Sequence, residues 1–202
     1  MLDTQYHTKE KLAAIKAEAV DLLKPQQQME RDFLESDEFL LGLDWGIPRY
    51  GHPEGKILYH IVEVLENIHA IPNFAKKDLQ RLRIIAFVHD TFKYKEDKGR
   101  PRNWMKHHAV YAKNFLAQYT SDKVLLDLVE LHDEAYYIWR RIHLQKQPEL
   151  GALQKQRLID RLGEHLQLFY LFFKSDTQTG DKIQAPVAWF EREMEGIEVV
   201  DF

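Results

Sequence analysis

The stretch LQRLRIIAFVHD at 79–90 runs into its most apolar part and ends on a His-Asp pair. It is long and apolar enough to be a central core helix. Around it helical periodicity dominates, and no convincing run of alternating strand residues appears. A carboxylate at the end of such a helix is costly to bury unless something compensates it. A divalent cation is one compensator, because neutral imidazole and carboxylate are both good ligands for it. Adjacent helical side chains point about 100° apart, so His89 and Asp90 reach one ion only beyond the helix end or between them. Other helices must then bring the remaining ligands.

Candidates stand at such places. His60 lies one turn into a helix that follows a loop at 42–56, which holds four of the nine glycines and two of the seven prolines. His107-His108 opens a helix at 104–119, His132 closes one at 122–132, and Asp176 follows the apolar LFYLFFK. Polar groups placed at helix ends can converge on one cleft of a bundle. Taken singly, each histidine reads as a hydrogen-bonded core residue and each aspartate as a cap. The remaining periodicity predicts helices closed by Pro25 after a Thr8 cap, then at 26–36, 57–69, 78–91, 134–146, 149–174 and 186–194, with a polar loop at 94–103.

Composition narrows the chemistry. With no cysteine, thiolate sites, disulfides and cysteine nucleophiles are excluded, so any metal has nitrogen and oxygen ligands. The net charge of −4 favours neither a nucleic-acid surface nor a polyacidic partner. The N-terminus lacks an apolar signal core, and no apolar run is long enough to span a bilayer. A cytoplasmic location without membrane or nucleic-acid partners is the expectation. The chain length of 202 residues suits one domain.

The ordered set His60, His89-Asp90 and Asp176 resembles the HD-domain superfamily of metal-dependent phosphohydrolases. HPEGKILYH at 52–60 is similar to the first-histidine stretch of HD domains attached to bacterial tRNA nucleotidyltransferases, and IIAFVHDTFKY at 84–94 to their apolar helix, His-Asp pair and following lysine. HHAVYAKNFL at 107–116, LVELHD at 128–133 and FFKSDTQTGD at 172–181 resemble the later segments in order. The resemblance covers roughly 52–182 and implies an all-α helical bundle: an HD core at 51–182, an N-terminal helical extension at 1–50, and a C-terminal helix and tail at 183–202. It implies that His60, His89, Asp90 and Asp176 bind a first metal. His108 and His132 match positions that hold a second ion in binuclear members, with His107 an alternative to His108.

One tightly held divalent ion is therefore expected, with a second site optional. Manganese, iron, cobalt, nickel or zinc suit the ligands, and magnesium less so. Asp90 is the candidate to orient or deprotonate the attacking water. Lys93 either approaches the phosphate or is a solvated lysine. Lys56, Arg100, Arg102 and Lys106 form a scattered basic set, either phosphate-steering or a solvated face. His52 and Glu54 either line the entrance or serve a turn. Tyr136, Tyr137 and Trp139 either stack a nucleobase or belong to the core. His69, His143 and His165 read as structural or exposed, and His7 belongs to the segment before the resemblance.

The expected substrate is a small phosphorylated metabolite such as a nucleotide, cleaved as a phosphomonoester or phosphodiester. A di-iron oxygenase on the same scaffold and a non-catalytic nucleotide-sensing domain are the alternatives.

Overall fold

The computed structural model describes residues 9–73, 75–99 and 101–202, so Thr8, His7 and Arg100 lie outside the described residues. Among those described there is no strand. The helices are α1 (Lys9–Leu23), α2 (Gln28–Phe33), α3 (Asp37–Leu43), α4 (Ile57–Ala70), α5 (Lys76–Val88), α6 (His108–Leu116), α7 (Lys123–Leu131), α8 (Glu134–His143), α9 (Pro148–Leu162), α10 (Leu166–Thr177) and α11 (Ala185–Glu193). The expected all-α bundle is what the chain forms.

The helix expected at 26–36 is shorter, ending at Phe33 as α2; Ser36 then turns extended and its hydroxyl accepts the Phe39 N–H, capping the unexpected α3, which runs into the expected loop at 42–56. The helix expected at 149–174 is divided into α9 and α10. Gly163 sits between them at φ +50°, where a side chain is disfavoured, and a short 3-10 turn at Gly163–His165 redirects the chain.

At the centre lies α10, whose LFYLFF run is buried on every side, the signature of a helix enclosed by others. It packs against α4, α5, α9 and α11. On α4, Leu58, Ile61, Val64, Leu65 and Ile68 recur at three- and four-residue spacing and face that core. The α6–α7 and α8–α9 pairs close the other side.

The N-terminal helices are tied in by close contacts. α1 packs on α3 and α4. Arg83 of α5 binds the fully buried Glu30 of α2 through Nε at 2.9 Å and Nη2 at 3.1 Å. Gly42 of α3 lies against the turn after α5 so closely that a Cβ there would stand 2.0 Å from the Thr91 carbonyl oxygen. That turn carries His89 and Asp90.

Candidate metal centre

α5 ends at Val88, and His89 and Asp90 follow in a tight turn rather than in the helix. Thr91 Oγ1 donates to the Phe87 carbonyl at 2.7 Å and the Asp90 carbonyl accepts the Lys93 N–H at 3.0 Å, which closes the helix end. The turn aims both side chains at the ends of α4 and α10, resolving the divergence that two helical neighbours would show.

Two groups of donor atoms meet there. In the first, His60 Nε2 lies 3.2 Å from His89 Nε2, 2.9 Å from Asp176 Oδ1 and 3.6 Å from Asp90 Oδ2. His89 Nε2 is 3.5 Å from Asp90 Oδ2 and 3.7 Å from Asp176 Oδ1. In the second, His108 Nε2 lies 3.2 Å from His132 Nε2, 3.3 Å from Asp90 Oδ1 and 3.3 Å from Asp133 Oδ2. His132 Nε2 is 3.4 Å from Asp90 Oδ1 and 3.7 Å from Asp133 Oδ2. Asp90 thus turns one oxygen to each group.

The imidazoles suit a cation. His89 Nδ1 donates to the Ala86 carbonyl at 3.0 Å, and His132 Nδ1 donates to the Val129 carbonyl at 2.8 Å. His108 Nδ1 donates to the Glu96 carboxylate at 3.1 Å. A neutral ring with its proton on Nδ1 presents a bare lone pair at Nε2. The Nε2 lone pairs of His108 and His132 therefore face each other across 3.2 Å in a buried place. That juxtaposition is repulsive without a positive charge between them. Ligands at about 2.0–2.2 Å from one ion stand about 3.0–3.5 Å from each other, and these donors do. Each group contains three or more residues able to hold a metal.

Outer contacts set the rings. His60 Nδ1 faces Thr179 Oγ1 at 3.3 Å and Glu54 Oε1 at 3.4 Å, and the same Glu54 oxygen accepts from His52 Nδ1 at 3.0 Å. Burial works against ionisation of Glu54, but the two histidines hold its pKa down to about 2. Glu96 bridges His108 to Arg102. Such partners fix tautomer and orientation.

Lys93 contacts Asp90, and Lys182 Nζ reaches Asp176 Oδ1 at 2.9 Å. Burial pushes the Lys93 pKa down, yet Asp90 and Asp133 hold it above the ordinary lysine value. Both ammonium groups line an open cleft of about 710 Å³ over the two donor groups, together with Lys98, Arg102 and Arg140. That volume suits a small organic ligand.

His107 caps α6 by accepting the Ala109 N–H on Nδ1 at 3.2 Å, and its Nε2 donates to Tyr137 Oη at 2.9 Å while lying 3.8 Å from Asp133 Oδ2, so both of its ring nitrogens are engaged, whereas His108 Nε2 faces Asp90 and His132. Among the described members of the scattered basic set, Lys56, Arg102 and Lys106, only Arg102 lines the cleft: Lys56 binds Asp44 at 2.7 Å and Lys106 binds Asp97 at 3.3 Å. Tyr136 and Tyr137 line the cleft, whereas Trp139 is buried in the core. His69 lies against Arg83, His143 packs beside Trp139 and Trp189, and His165 is on the surface beside Glu164.

Sequence reasoning missed Asp133 and Lys182. Asp133 had a signal: His132-Asp133 repeats the His89-Asp90 pattern of a His-Asp pair just past a helix end. Tyr137 Oη donates to Asp133 Oδ2 at 3.3 Å and completes its support.

Fold and donor set together define an all-helical protein with a paired imidazole–carboxylate centre under a cationic cleft. The chain belongs to the HD domain family: the family model matches residues 57–162, from the start of α4 to the end of α9. The family is one of metal-dependent phosphohydrolases. The matched span holds His60, His89, Asp90, His108, His132 and Asp133 and stops short of Asp176. No curated protein and no solved structure matches the chain, so the narrower likeness to tRNA nucleotidyltransferase HD domains stays a likeness of motifs. No helix among the described residues is long and apolar enough to cross a membrane.

Proposed function

We propose that the protein is a phosphohydrolase that works with two divalent cations and cleaves a phosphate ester of a nucleotide or similar small metabolite. The observation that carries this reading is Asp90, whose Oδ2 faces one donor group while its Oδ1 faces the other. His60, His89, Asp90 and Asp176 would hold one ion. Asp90, His108, His132 and Asp133 would hold the second. This reading fills the optional second site of the sequence expectation as well as the first, because imidazoles and carboxylates come together in both donor groups. Manganese, iron, cobalt, nickel and zinc suit such nitrogen–oxygen sites.

Divalent ions there would lower the pKa of bound water, polarise the phosphoryl oxygens and offset charge in an in-line displacement. The chain's own groups do the rest. Asp90 orients the water that attacks phosphorus and takes up its proton. Lys93 and Lys182, which pair with Asp90 and Asp176, line the cleft where their charge would also offset that of a phosphoryl group, and Arg102 adds a planar donor. The water oxygen bonds to phosphorus as the P–O ester bond breaks, and the proton taken up by Asp90 leaves with the alcohol.

Elemental analysis of the purified protein together with a hydrolysis screen of nucleotides, cyclic nucleotides and simple phosphate esters tests the proposal. Two ions per chain and turnover abolished in Asp90→Ala are expected. Turnover that survives in Asp90→Ala would overturn it. The same pair of sites would also serve a di-iron oxygenase, and oxygen consumption by iron-loaded protein distinguishes that reading; the ring of lysine and arginine at the cleft favours phosphate.

A further inference from the structure

The cleft does not end at Tyr137. A second concavity of about 640 Å³ shares Arg102, Tyr137 and Arg140 with it and continues between α8 and α9. One face of α9 forms its far wall, with Leu150, Leu153, Gln154, Arg157, Leu158 and Arg161 recurring at three- and four-residue spacing. Its charge is one-sided. Arginines 102, 140, 141, 157 and 161 line it against a single acid, Glu134, and Glu134 already accepts from Gln154 Nε2 at 2.7 Å.

The arginines differ in what occupies them. Arg161 is paired with Asp127 and Glu130, and Arg102 with Glu96. Arg141 bonds only the neutral side chains of Gln154 at 3.0 Å and Gln147 at 3.3 Å. Arg140 rests over the Tyr136 ring at 5.6 Å. Among the described residues Arg140, Arg141 and Arg157 have no carboxylate partner. In a chain of net charge −4 this surplus is local rather than compositional.

From this continuity we infer that the groove takes a second phosphate of the substrate, one nucleoside beyond the phosphate attacked at the metal centre. The inference rests on the hydrolase reading above and narrows its substrate to a linear nucleotide with two separated phosphates. Arginine forks suit a phosphate that must be held by direction as well as charge. Tyr137, shared by the two concavities, has the Trp104 ring 5.7 Å away and edge to face, with the Arg102 guanidinium 4.8 Å over the Trp104 ring, and this aromatic corner is where the nucleoside between the phosphates would lie. The half-exposed Leu150 and Leu153 flank the far end, where a following base or ribose would lie.

The test is equilibrium binding to the full-length, metal-loaded protein, with phosphorothioate analogues that resist hydrolysis. Three probes are compared: a 5′-phosphorylated adenosine dinucleotide, adenosine 3′,5′-bisphosphate and adenosine 5′-monophosphate. The two-phosphate ligands are expected to bind at least ~10-fold tighter than the monophosphate, with the steeper salt dependence of an added phosphate contact. Arg157→Glu, a change on an exposed helix face, should erase that advantage while leaving monophosphate affinity and hydrolysis of p-nitrophenyl phosphate unchanged. Equal affinities, or an advantage that survives in Arg157→Glu, would overturn the inference. So would an acidic helical peptide that binds the wild type and not Arg157→Glu without any preference among the nucleotides, since the groove would then serve a protein partner. If the wild type hydrolyses no phosphate ester, the hydrolase reading fails, while the binding comparison still decides the groove.

Discussion

Nε2 of His60 on α4 and Oδ1 of Asp176 on α10 lie 2.9 Å apart. A helix at the start of the matched span and one just beyond its end thereby bring an imidazole and a carboxylate together, although Asp176 itself falls outside the family match. α10 delivers it because Asn67 of α4 donates to the Ser175 carbonyl at 2.8 Å and locks the two helix ends together.

Asp133 is expected to be a true ligand rather than a helix-start acid. Asp133→Asn should lower the metal content from two ions to one per chain and cut hydrolysis by more than the ~10–100-fold typical of outer partners. Inductively coupled plasma analysis beside kinetics checks both numbers. Two ions retained in Asp133→Asn would remove it from the donor set.

The outer carboxylates should tune the two ions separately. Glu54→Gln loosens the support of His60, and Glu96→Gln that of His108. Each should weaken one ion by about 10–100-fold and leave the other intact. Stepwise chelator titration resolves the two affinities.

The Arg83–Glu30 pair is a stability element remote from the chemistry. Arg83→Met leaves Glu30 buried without its cation, which costs about 3–5 kcal/mol and lowers the Tm by roughly 6–20 °C. The double variant Arg83→Met with Glu30→Gln should recover part of the loss. Scanning calorimetry of the single and double variants tests this, and an unchanged Tm in the single variant would contradict it.

Glu130 gives a pH signature. Burial raises its pKa, but Arg161 and Lys113 outweigh burial and hold the folded value below the ordinary 4.5. Its contribution is therefore complete above about pH 4.5 and is lost as the pH falls through the lower folded value. Urea midpoints of the wild type and Glu130→Gln should differ by a constant amount at neutral pH and converge in acid. A gap that widens in acid would reverse the assigned sign.

Gly163→Ala should cost about 1–3 kcal/mol although nothing stands within 4 Å of the added carbon. The penalty comes from the backbone alone, at φ +50° and ψ −126°. A neutral result would mean that the α9–α10 corner can relax.

Much of this centre was legible because its ligands are chemically distinctive and sit where apolar helices end. His60, His89, Asp90, His108, His132 and Asp176 stand out as polar residues beside hydrophobic runs, and all six converge. What periodicity could not supply was the turn geometry. The split of 149–174 depends on one glycine that a continuous helical pattern tolerates on paper. The direction of the Asp133 carboxylate is set by the α7–α8 corner, which periodicity does not show. Nothing in the sequence singles out Arg140, Arg141 and Arg157, because their shared groove exists only once α8 folds back on α9.

The seat of α3 against Thr91 makes the loop bearing His89 and Asp90 answerable to a helix that holds no ligand at all. A chain shortened to begin at α4 would keep every donor yet lose the backstop behind that loop. Such a fragment should stay helical while releasing its ions, so transplanting the catalytic segment alone into another scaffold would carry the recipe without the jig that sets its dimensions.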